Sequence, residues 1–445
     1  MKNNFLISNF FHYLKSYGVH FFIAFSIYLF TFYLFPVFSN YFYCSELLQS
    51  KLTILNYDLL LKIQVSCDFE IYLKGFKNFN NIFELNYLYQ GRPLYILSIN
   101  LIAKILSFLF KDDSIIIYHF AVTLFQVFIF QVITFLVFKI TNIEFKKNQQ
   151  FSILFLVSLT PIIRYGLFDP SHQLLTIVSF LLSLYLFENK NNLIKRNSYI
   201  LAFLIGVLFL MNKVFLVSYL VLLLSFNFEN IKNEKNINPY HFLQTLIIFL
   251  IPISAYYIWI VSQGYVLYEA ETEEYGHFIW LLYFSNGHIV HEGEWFCQSI
   301  PENFICYFQD TYKAIMYLMT PIIYTIIFKF YSPLKKKYLI KLNSLFFITL
   351  IYYMFWSLIG WYPPLRFNLY TLGFALTFIL ILIFIDLKDY KLFSILHLIG
   401  LIFYFLGLTH WNNPNIISYN FLVISGGIIL FLNLFLQISK FKKAI

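Results

Sequence analysis

Long apolar runs separated by short polar stretches dominate the chain. The first, Val19 to Phe38, is about 20 residues long, and at ~1.5 Å per residue such a helix spans a ~30 Å hydrocarbon core. No small-x-small cleavage site follows it, which predicts an uncleaved first helix. Further spans are predicted at Ile115–Phe138, Phe151–Phe168, Ser171–Phe187, Tyr199–Met211, Val214–Phe226, Phe242–Ile260 and Tyr312–Phe328. Four more follow at Leu342–Gly360, Phe367–Ile385, Leu392–Leu408 and Ile417–Gln437. Two stretches decide the topology. Pro93–Phe110 is apolar but interrupted by Asn100 and Lys104 and closed by Lys111-Asp112-Asp113, which predicts a helix on the outer surface. Tyr199–Phe226 breaks at Asn212-Lys213, which predicts a short hairpin. The expected fold class is all-α integral membrane, with about 12 transmembrane helices.

Positive charge supports those two choices. They put 20 of the 31 Lys and Arg residues on one side, including Lys139, Lys146, Lys147, Lys195, Arg196 and Lys335 to Lys337. Basic residues accumulate in cytoplasmic loops, so both termini are expected there. Two large outer loops result, residues 39–92 and 261–310. The expected modules are 1–230, with the surface helix 93–110, and a variable 231–445. The chain has 445 residues, 60% hydrophobic and 12% charged, where a soluble protein carries about 25% charged residues. That excludes a soluble enzyme, and with it a nucleic-acid reading of the net charge of +9. The four cysteines fall in the outer loops, which suits disulfides Cys44–Cys67 and Cys297–Cys306 in an oxidising compartment.

Connections beyond about 12–15 residues are usually functional or disordered, so chemistry is sought on the outer face. In Asp68-Phe69-Glu70, a carboxylate at the membrane surface can act as a general base. In Gly91-Arg92-Pro93, an Arg can neutralise a phosphate. A solvated turn and a snorkelling Arg describe the same residues. Arg164 precedes Asp169-Pro170-Ser171-His172; Asp before Pro is an ordinary helix start, or a second outer carboxylate. Lys213 at the hairpin tip lies where a lipid phosphate would lie, or snorkels. Arg366, after Pro363-Pro364, starts a helix and could face an anion there. His288, His291, Glu292 and Glu294 in the acidic second loop suit a divalent cation such as zinc, Mg or Mn, but no helical metal frame holds them.

The order of these pieces resembles the GT-C superfamily of polytopic glycosyltransferases, which use polyprenyl-phosphate sugars. The nearest branch is that of the protein O-mannosyltransferases and lipid A aminoarabinose transferases. The resemblance covers roughly Phe21 to Phe226 and is one of pattern. It implies Asp68, Glu70 and Asp169 as catalytic carboxylates, and Arg92, Lys213 and Arg366 as donor-phosphate ligands. His172, His288, His291 and Glu292 are acceptor-side or loop candidates. Asp68 lies farther from the first span than the family's carboxylate, so Asp58 is its rival. The implied partners are a polyprenyl-phosphate-linked sugar donor, membrane lipids and a glycan, lipid or protein acceptor. The implied location is a bacterial plasma (inner) membrane. A polysaccharide polymerase or ligase of the O-antigen type, and a flippase for lipid-linked sugars, are the competing classes.

Overall fold

A computed structural model of the protein describes residues 25–26, 46–54, 57–65, 68–83, 90–110, 115–141, 147–160, 163–164, 174–190, 195–232, 239–266, 322–327, 336–359, 371, 373–387, 391–407 and 421–442. The first elements are strands β1 (Glu46–Ile54) and β2 (Tyr57–Val65), an antiparallel pair with Glu46 opposite Val65 and Ile54 opposite Tyr57. Tyr57, Leu59, Leu61, Ile63 and Val65 recur at every second position, the period of a pleated strand. That hairpin lies within residues 39–92, where an all-α protein was expected to have a loop, so the fold is not helical throughout. A short helical stretch links it to the bundle: α1 (Asp68–Lys77), a 3₁₀ turn (Phe79–Phe83) and α2 (Pro93–Phe110).

The bundle continues with α3 (Ile115–Thr141), α4 (Lys147–Leu159), α5 (Leu174–Glu188), α6 (Lys195–Phe209) and α7 (Phe215–Lys232). After α8 (Pro239–Ser262) come α9 (Lys336–Ile359), α10 (Phe374–Asp386), α11 (Lys391–Gly407) and α12 (Phe421–Lys442). Four described helices are long and apolar enough to cross a membrane: α2, α3, α8 and Phe421–Ser439 of α12. Shorter apolar helices accompany them, among them α5, α10 and α11. The chain is a helical membrane protein.

Helix α5 is the hub. It packs against α3, α7 and α9, and nearly every one of its residues is buried. Hydroxyls bind these helices together: Ser179 Oγ lies 2.7 Å from Ser218 Oγ of α7 and 2.6 Å from the Tyr352 hydroxyl of α9. Ser183 reaches the same two groups at 3.2 and 3.0 Å. In lipid, where water offers no alternative partner, such bonds hold helices in register.

The contacts also sort the helix ends into two poles. Phe180 and Phe187 of α5 meet Tyr352 and Phe347 of α9, so these helices are antiparallel. At one pole the Lys341 ammonium of α9 donates to the Ile140 carbonyl in the last turn of α3. Ser198 of α6 bonds His241 Nε2 of α8 at 3.0 Å, and the His241 ring stacks on Phe226 of α7. Lys139 and Lys195 belong to the same helix ends, so this is the basic pole. At the opposite pole lie the α6–α7 tip and the start of α2, where the Leu94 N–H donates to the Leu210 carbonyl at 3.3 Å.

Helix α2 does not follow α3 along its length. Tyr95, near the start of α2, meets Phe125 with ring centroids 5.6 Å apart, and α2 ends only four residues before Ile115. It therefore accompanies about ten residues of α3, roughly 15 Å of rise. Tyr95, Ile96, Ile99, Asn100 and Ala103 form its buried stripe, while Leu101, Ile105, Phe108 and Leu109 face outward.

Helices α11 and α12 approach each other closely. A Cβ on Gly426 would meet the Tyr404 backbone nitrogen and stand 2.7 Å from the Gly400 carbonyl oxygen. Gly426→Val should therefore force the pair apart and cost about 1–3 kcal/mol of overpacking. Thermal unfolding in detergent should show a lower midpoint for Gly426→Val and an unchanged one for Ile428→Val, on the outward face.

Cys44, Cys67, Cys297 and Cys306 lie outside the described residues. The pairing of Cys44 with Cys67 is the expectation from their place in the first large loop. Non-reducing peptide mapping should recover a Cys44–Cys67 peptide, and four free thiols would refute the pairing.

Candidate functional site

Helix α1 carries the first-loop acidic motif. Phe69, Tyr72 and Phe76 fall on one helical face and are buried. Tyr72 packs edge-on against Tyr95 of α2, with centroids 5.8 Å apart, and Phe76 lies 6.3 Å from the same ring. Asn100 of α2 donates through Nδ2 to the Phe76 carbonyl at 2.5 Å, in the last turn of α1. Those last carbonyls have no partner within their own helix, so a buried amide is the physical requirement there. Tyr72 thus faces Tyr95, and the end of α1 faces Asn100. The two helices run in the same direction, with both starts toward the α6–α7 tip. Asp68 is the first residue of α1 and Glu70 the third.

Arg92 is half-buried and precedes Pro93, the first residue of α2. A Pro there needs no N–H partner and fixes φ for the helix. The next amide, Leu94 N–H, is the one bound by Leu210. On the other side of Arg92, the Gln90 carbonyl accepts the Tyr256 hydroxyl of α8 at 2.7 Å. The Gln90 side chain donates Nε2–H to the Val266 carbonyl at 3.2 Å. Arg92 is therefore held between two separate elements.

The α6–α7 tip is a built turn. Asn212 Oδ1 accepts the Val214 N–H at 3.0 Å, and the Asn212 carbonyl accepts from Phe215, so Asn212 caps the start of α7. Lys213 follows it on the turn, half-buried. Because Leu210 in this tip bonds Leu94, Lys213 and Arg92 belong to one rim. The C-terminal end of α8 completes the rim. Gly264, at φ +78°, ends that helix while Tyr265 N–H returns to the Ile260 carbonyl at 3.3 Å. Phe83 stacks on Tyr265, centroids 4.7 Å apart, and meets Trp259 edge-on at 5.1 Å.

Arg164 is fully buried. Its Nε donates to the Leu159 carbonyl at 3.0 Å and its guanidinium also donates to the Phe405 carbonyl in the last turn of α11. A cation at a helix C-terminus opposes the negative end of the helix dipole. This Arg joins α4 to α11.

Asp169, His172, His288, His291, Glu292 and Arg366 lie outside the described residues, and so does the cation site suggested in the acidic loop. Among the described residues no group of three His, Cys, Asp or Glu side chains could hold a metal ion. The Leu94–Leu210 bond thus joins the segments that carry Arg92 and Lys213, and Gln90, Tyr256 and Asn212 support them without having been candidates for chemistry. Asn212 had a signal, a turn-forming residue between two apolar arms; Tyr256 had none, because its partner is 166 residues away. No family model matches the chain, and neither a curated protein nor a solved structure is similar to it.

Proposed function

We propose that the protein is a membrane glycosyltransferase of the GT-C type, moving a sugar from a polyprenyl-phosphate donor to a lipid, glycan or protein acceptor on the outer face. One observation carries the proposal: the Leu94–Leu210 bond joins the first turn of α2 to the α6–α7 tip, bringing Arg92 and Lys213 to one rim beside the start of α1. Two cations at the membrane boundary, one at a helix N-terminus, suit a lipid phosphate. The basic pole is then cytoplasmic, with about twelve spans and both termini inside. Helix α2 would serve as the outer surface helix on the strength of Asn100 and Lys104, which interrupt it, although its length and apolarity would suffice to cross.

In the proposed reaction an acceptor hydroxyl attacks the anomeric carbon of the donor. The C–O bond to the lipid phosphate breaks as the new glycosidic bond forms, and the anomeric centre inverts. Asp68 takes the hydroxyl proton, while Arg92 and Lys213 stabilise the charge gathering on the departing phosphate. The hairpin supports Asp68 over Asp58. Asp58 sits on β2 opposite Thr53, next to the turn, whereas Asp68 opens the helix that packs along α2. Glu70, Asp169 and the acidic loop 261–310 would position the acceptor, and Arg366 would join the phosphate ligands.

A transporter of lipid-linked sugars is the second reading, favoured by polar pairs inside helices. The Tyr324 hydroxyl lies 2.8 Å from His397 Nδ1, and His397 Nε2 lies 3.2 Å from the Leu380 carbonyl. These groups bond to one another and to backbone, as helix packing in lipid requires, which leaves the glycosyltransferase the stronger reading.

The topology is checked first. Reporter fusions after Lys147, Arg196, Lys235 and Lys337 should report cytoplasm, and fusions after Asn80, Gln298 and Asn413 the outside. A cytoplasmic signal at Gln298 would overturn the arrangement.

The chemistry is checked by single-turnover transfer from a panel of polyprenyl-phosphate sugars, at matched membrane abundance. Asp68→Asn should lose about 10²–10⁴-fold in rate with donor affinity kept, because the amide is nearly isosteric but cannot accept the proton. Arg92→Ala should weaken donor binding as well as turnover. Asp58→Asn should stay active. Full activity in both Asp68→Asn and Asp58→Asn would sink the mechanism.

A further inference from the structure

Arg92 has a fixed neighbour on either side, and the two belong to different parts of the molecule. Behind it, Gln90 is buried and carries two bonds to the C-terminal end of α8: its carbonyl accepts from Tyr256 at 2.7 Å and its amide donates to Val266 at 3.2 Å. Ahead of it, Leu94 N–H is bound to the α6–α7 tip at 3.3 Å. The aromatic seat of Phe83 on Tyr265 and Trp259 fastens the same outer segment to the same helix end. The α8 end is itself stopped by Gly264, two residues before Val266. From Val266 the chain enters the large acidic outer loop.

We propose that Gln90 and Tyr256 are positioning residues for Arg92, setting its guanidinium for the donor phosphate and tying that setting to the helix end from which the acidic loop departs. Neither residue touches the donor. The Tyr256 hydroxyl fixes the Gln90 carbonyl, the Gln90 amide fixes Val266, and the Arg92 backbone between Gln90 and Pro93 inherits both constraints. The inference rests on the glycosyltransferase reading, specifically on Arg92 as a phosphate ligand.

The test measures binding of a polyprenyl monophosphate and of the phosphate-free polyprenol to the purified full-length protein in detergent. Arg92→Ala should weaken the monophosphate about tenfold or more, as expected for a lost charge-assisted bond. Tyr256→Phe removes one hydroxyl and should weaken it about three- to tenfold, with Gln90→Met giving a loss in the same range. Neither should change polyprenol binding. The double variant Arg92→Ala/Tyr256→Phe should bind no more weakly than Arg92→Ala, because the clamp acts only through the arginine. Wild-type affinity in Tyr256→Phe, an additive loss in the double variant, or an equal loss for both lipids would overturn the clamp while leaving Arg92 as a phosphate ligand. Unchanged monophosphate binding in Arg92→Ala would overturn both the clamp and the reading beneath it.

Discussion

A peptide group inside hydrocarbon has no water to bond, so every helix end must find a partner in the protein or reach the membrane boundary. That constraint organises this molecule. Lys341 supplies the last turn of α3, Arg164 the last turn of α11, and Asn100 the last turn of α1. Leu210 accepts the first free amide of α2. Each of these bonds closes one helix and fixes a second against it. The rim around Arg92 is one more result of the same rule. The Gln90 carbonyl is satisfied by Tyr256 and the Leu94 amide by Leu210, while the Gln90 side chain binds the Val266 carbonyl, so the segment around Arg92 sits on a fixed frame.

Much of the helical framework was legible because hydrophobic length is a direct physical signal. The runs around α3, α5, α6, α7, α8, α9, α11 and α12 were placed from apolar length alone, and the break at Asn212 was placed from a polar pair between two short arms. A helix over Pro93–Phe110 was legible as an apolar run, and the Asn100 that interrupts it proves to be a cap for α1. The β-hairpin was missed. Its alternation is confined to two nine-residue strands within a segment otherwise read as loop. Both strands also hold consecutive leucines, which blur a period of two.

The candidate residues Arg92 and Lys213 could be picked out as residue types, but the bond that joins their segments could not. Arg92 and Lys213 were singled out for their charge beside apolar arms, yet no spacing could announce that positions 94 and 210 are bonded. The partner of Gln90 lies on α8 and that of Arg164 on α11, 241 residues along the chain. Such pairs depend on tertiary packing, and a single sequence records them only as an odd polar residue in an apolar run. Gly426 and Gly206 belong to the same class: each reads as a weak helix former, and each marks a close approach, to Tyr404 and to Phe249 respectively.

The bond from Arg164 to Phe405 also sets an order of assembly. Most helix pairs here join near neighbours in sequence, as in α6 with α7 and α11 with α12, and can form as the chain emerges. Arg164 cannot complete its contacts until α11 has been synthesised and inserted, long after its own helix is in the membrane. During that interval a guanidinium stands within the bundle without the carbonyl that later receives it, a costly state in hydrocarbon. Truncation before Phe405 would take away the carbonyl that receives one arm of the guanidinium and leave the bond to Leu159, so the late helices finish a contact that the early ones can only begin.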